Sequence, residues 1–143
     1  MTDAPRLTLI DFENWERKEH YAHFMNEVRC SYSVCVNLDI TPLNGQRLYP
    51  AMLWLLTRTV NEMPEFRTSF TEGGLGYYSE MHPAYTVFNR DTKTFSGIWT
   101  AYQPDYPSFL HGYEEDAGKY SFTTQYEPKP GRPANSFDVS MVP

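Results

Sequence analysis

Four histidines, His20, His23, His82 and His111, are the side chains able to exchange a proton near neutral pH. His20 and His23, with Glu19 and Glu27, share a stretch of helical spacing, but no third ligand follows at metal-motif spacing. Gly73-Gly74-Leu75-Gly76 joins two expected strands without opening a helix, unlike a phosphate-binding loop. Cys30 and Cys35 are the only cysteines. On one strand they would lie roughly 16 Å apart on opposite faces, too far to bond to each other. A Cys/His nucleophile pair built on Cys30 stays open.

These residues are positioned by a stretch read as a helix running into a long strand. Tyr21, Phe24, Met25 and Val28 fall at the i, i+3, i+4, i+7 spacing of one helical face, with Asn14 as the N-cap. From Cys30 the period becomes two: Cys30, Tyr32, Val34, Val36, Leu38 and Ile40 alternate with polar residues, as in a half-buried strand. A second helix starts at Tyr49-Pro50, is apolar nearly all round from Ala51 to Val60, and stops at Pro64. Strands are expected at Leu7 to Ile10, Phe66 to Phe70, Leu75 to Tyr77, Tyr85 to Phe88 and Lys93 to Thr100. A third helical stripe runs from Tyr106 to Ala117, with Gly118 as its end; Tyr126 to Asn135 reads as a loop, and Phe137, Val139 and Met141 as a last strand. The fold class is α+β, a largely antiparallel sheet with helices packed on it.

The same stretches carry a likeness. Trp15-Glu16-Arg17-Lys18-Glu19-His20-Tyr21, Cys30 and Leu38-Asp39-Ile40-Thr41 resemble the N-terminal signature of the chloramphenicol acetyltransferases. Tyr49-Pro50, Asn61, Pro64-Glu65-Phe66-Arg67, His82-Pro83, Tyr85-Thr86-Val87-Phe88, Thr92 and Thr94-Phe95-Ser96 recur in that family's order. The family's His-His-x-x-x-Asp-Gly motif, which carries its catalytic histidine, has no counterpart in residues 1–143.

The resemblance implies an enzyme that passes an acetyl group from acetyl-CoA, a co-substrate rather than a resident cofactor, to the primary hydroxyl of chloramphenicol. It also implies a compact homotrimer with sites between subunits. By alignment, Phe24, Val28, Cys30 and Phe95 match the antibiotic-pocket wall, whereas without the resemblance they read as core residues. Tyr49 matches a tyrosine that touches coenzyme A; helix-start packing is the competing reading. Ser140 matches the serine that stabilises the oxyanion, against the reading of a polar residue on an edge strand. Arg17 matches an arginine that pairs with the aspartate of the histidine motif. His23 stands where some members place an aromatic beside the pocket, and a further pocket phenylalanine falls near Tyr126-Glu127-Pro128.

The expectation is a single, truncated domain of this family, inactive alone for want of its base. The rival is a non-enzymatic module that traps the antibiotic or joins other subunits into a mixed oligomer. With 12 basic against 18 acidic residues the net charge is −6, which opposes binding to a phosphate backbone. No window approaches the roughly 20 apolar residues of a membrane helix, so a cytoplasmic protein is expected, with no metal, nucleic acid or membrane as partner.

Overall fold

A computed structural model describes residues 5–28 and 30–141. Its strands are β1 (Leu7–Leu9), β2 (Thr68–Thr71), β3 (Gly74–Tyr78), β4 (His82–Asn89), β5 (Thr94–Trp99) and β6 (Ser136–Val139). Its α-helices are α1 (Lys18–Ala22), α2 (Leu48–Glu62) and α3 (Tyr106–Tyr120). The strands form two three-stranded sheets, ordered β1-β3-β2 and β5-β4-β6. Pairing is antiparallel throughout except between β4 and β6, which run parallel with His82 opposite Ser136 and Tyr85 opposite Val139.

The second sheet holds the core. Along β4, Tyr85 and Val87 alternate with Thr86 and Phe88, so the first pair faces the helices and the second does not. Leu53 of α2 and Phe109 of α3 are fully buried against Tyr85, Val87 and Ile98. Each such side chain contributes about 1.5–3 kcal/mol through removal of apolar surface from water. Thr57 is also buried in α2, which it tolerates because its hydroxyl donates to the Leu53 carbonyl one turn back, at 2.6 Å. The amide of Asn61 then ties the end of α2 to Met81, donating to its carbonyl and accepting from its N–H.

Helix α3 begins at a sequence-encoded start. Asp105 accepts a hydrogen bond from the Ser108 N–H, satisfying an amide without an intrahelical partner, and Pro107 sits in the first turn where it loses no bond. That bond holds the Asp105 carboxyl below its ordinary range. The helix runs on past Gly118 to Tyr120, so the expected glycine stop is overridden by the packing of Ala117 and Tyr120 on the core. In the first sheet, a Cβ on Gly76 would lie 2.7 Å from the Thr8 carbonyl oxygen, so only glycine lets β1 approach β3 there.

The N-terminal stretch departs from expectation. Helix α1 starts at Lys18, not after Asn14, which instead lies in a 3-10 turn with its amide donating to Asp11. Phe12, Trp15 and Tyr21 set that turn by packing ring against ring, at centroid separations of 5.6 to 6.0 Å. After α1 the chain makes one π-helical turn, His23–Glu27, closed by the Val28 N–H on the His23 carbonyl. The expected strand from Cys30 to Ile40 is absent: the segment forms no ladder, and its apolar face is open, with Tyr32 86% and Val36 71% exposed. Alternation marks a surface fit for a sheet, but a strand exists only through a hydrogen-bonded neighbour, and none among the described residues adjoins it. The last strand ends at Val139; Val142 and Pro143, which extended the sequence reading, lie outside the described residues.

Candidate functional site

Three of the residues singled out from the sequence meet at one place. Tyr49 from the first turn of α2, Phe95 from β5 and Ser140 just after β6 line a cavity of about 500 Å³. Thr86, Phe88, Tyr113 and Ala117 complete much of its wall, which is mainly apolar. The Tyr49 hydroxyl donates to the Thr86 carbonyl at 2.9 Å, so this ring is fixed from both ends of its side chain. It also meets Tyr85 and Tyr113 edge-on, at 6.0 and 6.3 Å.

A second cavity of about 420 Å³ shares Thr86, Phe95 and Ser140 with the first and extends over Trp99, Tyr126 and Lys129. Tyr126 packs edge-to-face on Phe95, with centroids 5.9 Å apart. The two cavities thus meet at Phe95 and Ser140.

No charged side chain lines the first cavity, whereas Glu127, Lys129, Arg132 and Asp138 border the second. Burial pushes the phenols of Tyr49, Tyr85 and Tyr113 above the ordinary tyrosine range, most strongly at Tyr85, so each is a hydroxyl and not a phenolate near neutral pH. The Ser140 hydroxyl is an exposed donor at the boundary of the two cavities. A neutral, largely apolar wall with a few hydroxyl donors suits an aromatic ligand and a reaction that develops charge on oxygen.

The other expected residues fall elsewhere. Arg17 and Phe24 line a separate cleft of about 360 Å³ with His20, Met25 and Glu65. Phe24 and Val28 are 53% and 42% exposed, and Cys30 lies exposed on the unpaired segment. The four residues assigned to one pocket wall are therefore split, with Phe95 at the main cavity and the other three on the N-terminal stretch. Arg17 is exposed, which relieves it of the cost of a buried unpaired charge.

None of the four histidines lines the cavity of Tyr49 and Ser140. His23 meets Glu27 at 2.9 Å and His111 meets Glu115 at 3.5 Å, both on exposed helical faces. His82 is half-buried at the start of β4, where its Nδ1 accepts from the Tyr102 N–H. Burial lowers its pKa although Glu80 opposes the shift. Among the described residues, no group of three or more His, Cys, Asp or Glu side chains could hold a metal ion. No helix of the described residues is long and apolar enough to cross a membrane.

Sequence reasoning missed Thr86, Tyr113 and Lys129 as parts of the site. Thr86 and Tyr113 lay in stretches already marked as strand and helical stripe, but nothing in the spacing says which core residues border a void. For Lys129, a lysine within a proline-rich loop, no local signal exists.

The fold and the residues so placed define an α+β protein with an open, mainly apolar site at the edge of a mixed sheet. A solved chloramphenicol acetyltransferase shares this fold, with a TM-score of 0.67 at 23% identity over 77% of this chain and 55% of that one. A sequence model described as chloramphenicol acetyltransferase matches residues 6–143. Among curated relatives, a chloramphenicol acetyltransferase of Clostridium perfringens is 44% identical over 96% of this chain and 66% of its own length. One from Clostridioides difficile is 46% identical over 94% and 65%, and chloramphenicol acetyltransferase 2 of Escherichia coli is 35% identical over 96% and 67%. The chain belongs to the chloramphenicol acetyltransferase family. It spans about two thirds of the length of these curated relatives.

Proposed function

We propose that this chain forms the acceptor and coenzyme side of an acetyl-transfer site, in a protein that moves an acetyl group from acetyl-CoA to the primary hydroxyl of chloramphenicol. The observation that carries this reading is the meeting of Tyr49, Phe95 and Ser140 around one cavity of about 500 Å³. The three are separated by tens of residues in sequence, and the family resemblance gives each a different part of the same reaction. Phe95 packs the aryl end of the acceptor, Tyr49 lies along the coenzyme arm, and the Ser140 hydroxyl donates to the oxyanion.

In the step itself, a base takes the proton of the acceptor hydroxyl while its oxygen attacks the thioester carbonyl. The carbonyl π electrons move onto oxygen, where Ser140 stabilises them; a donor so placed is worth about 2.7–4 kcal/mol in related oxyanion sites. Collapse re-forms the carbonyl and breaks the C–S bond, and the departing thiolate recovers the proton from the base. Within one chain His20, His23, His82 and His111 do not supply that base, because none borders the cavity. The base belongs to the His-His-x-x-x-Asp-Gly motif, which residues 1–143 do not hold, and these residues by themselves are inactive. The domain is single, the setting cytoplasmic, and the assembly a homotrimer or mixed oligomer whose contacts recruit Phe24, Val28 and Cys30 to the pocket wall and give Arg17 its carboxylate partner.

Release of free CoA on addition of chloramphenicol and acetyl-CoA tests the proposal. The product of the native gene should turn over and residues 1–143 alone should not. Turnover by residues 1–143 that survives replacement of all four histidines would sink the assignment of the base. The second reading, a non-enzymatic module that binds the antibiotic or joins subunits, is favoured by the exposed apolar face from Tyr32 to Ile40.

A further inference from the structure

Lys129 arrives from the proline-rich loop Tyr126 to Asn135, yet with Asp116 it forms the most enclosed ion pair among the described residues. Its side chain is 16% exposed, and that of its partner Asp116 on α3 is 18% exposed, at 2.7 Å. The same Nζ donates to the Trp99 carbonyl at 2.8 Å and sits 4.1 Å above the Trp99 ring. On the far side, Asp116 accepts from the Thr100 hydroxyl at 2.6 Å, and Thr100 shares a 2.8 Å bond with the buried Tyr85 hydroxyl. A chain of polar contacts therefore runs from the loop through α3 into the core.

Three contacts lay the segment from Gln125 to Lys129 along the outer edge of β5. The Ser96 hydroxyl donates to the Gln125 carbonyl and the Gly97 N–H to the Tyr126 carbonyl, each at 2.6 Å; the Lys129 bond to Trp99 is the third. Of the three, only Lys129 also grips the helix opposite. Its segment carries Tyr126 onto Phe95, which lines the site, and its partner Asp116 adjoins Ala117 and lies one turn from Tyr113, which line the same cavity from α3.

We infer that Lys129 is a positioning residue that, with Asp116, holds the Phe95–Tyr126 wall at a set distance from the α3 wall and so fixes the width of the pocket for an aryl-bearing alcohol acceptor. This rests on the acetyl-transfer reading above and adds to it a residue that acts through the Phe95–Tyr126 wall. Lys129→Gln keeps a donor for Trp99 and loses the charge; Lys129→Arg keeps the charge, the stacking on Trp99 and the pair with Asp116.

The test uses the product of the native gene, with chloramphenicol and acetyl-CoA as the probes. Lys129→Gln should raise the KM for chloramphenicol at least tenfold while leaving the KM for acetyl-CoA within twofold, and Lys129→Arg should return the first KM to within threefold of the parent. Equal KM values for parent and Lys129→Gln, or a common fall in activity that tracks lost folded protein and is not rescued by arginine, would overturn the inference. Hydrogen exchange on the same proteins reads the strut without turnover: amides of residues 121–131 should exchange at least tenfold faster in Lys129→Gln than in the parent or the arginine variant. Unchanged protection would overturn the strut even where the parent enzyme is active. An inert parent protein with a loosened loop would instead overturn the acetyl-transfer reading and leave the strut standing.

Discussion

Residues 48–141 and residues 5–43 both carry regularly patterned apolar side chains and end in opposite states. In the first region Leu53, Tyr85, Val87, Ile98 and Phe109 close on one another between two helices and a sheet. In the second, Phe24, Met25, Val28, Tyr32, Val34, Val36, Leu38 and Ile40 are all exposed. Patterning is present in both. The difference is that α2 and α3 find β4 and β5 within the same chain, whereas the alternating segment adjoins no strand among the described residues.

Deleting a core ring should break this comparison most sharply. Phe109→Ala leaves a void at a fully buried position and should lower stability by about 3–5 kcal/mol, measured by chemical denaturation. If the loss were below about 1 kcal/mol, the helix-on-sheet core would not be what stabilises the molecule. Acid should have a smaller effect, and its sign follows from His82. Burial holds its pKa in the folded protein below the ordinary 6.5, so the unfolded chain binds the proton more readily. The stability this represents is fully present above about pH 6.5 and is lost as pH falls from there towards the lowered folded value. Protonation at Nδ1 would also remove the acceptor of the Tyr102 N–H. His82→Gln should therefore flatten the fall in melting temperature between pH 7 and pH 5; an unchanged slope would assign it to other groups. The smallest effect is expected at Val36, where replacement by serine removes an exposed methyl pair and should shift stability by less than about 0.5 kcal/mol. Its influence should appear instead in assembly. Sedimentation should show less association for Val36→Ser than for the parent, and equal association would detach the open apolar face from any subunit contact.

Much of the packed region was legible because its local signals and its tertiary contacts agree. Proline and apolar density marked α2, the stripe from Tyr106 to Ala117 marked α3, and Gly73-Gly74 marked the turn between two strands. The long strand from Cys30 to Ile40 was misread for an instructive reason: its period of two is as regular as any in the chain, and periodicity reports only which side chains share a face. Asn14 was misread as a cap because ring packing of Phe12, Trp15 and Tyr21 moved the helix start to Lys18. For the site, resemblance named Tyr49, Phe95 and Ser140 singly.

The sequence by itself determined the family, the α+β class and the positions of most helices and strands in residues 48–141. These depend on residue type and short-range spacing, which a linear chain displays in full. Only the tertiary structure decided that Tyr49, Phe95 and Ser140 share a cavity, that Phe24 and Arg17 belong to another cleft, and that Lys129 bridges a loop to Asp116. Those facts turn on where the chain folds back on itself. A carboxylate and an ammonium 13 residues apart in sequence leave no periodic trace of meeting until the sheet and α3 bring them to 2.7 Å.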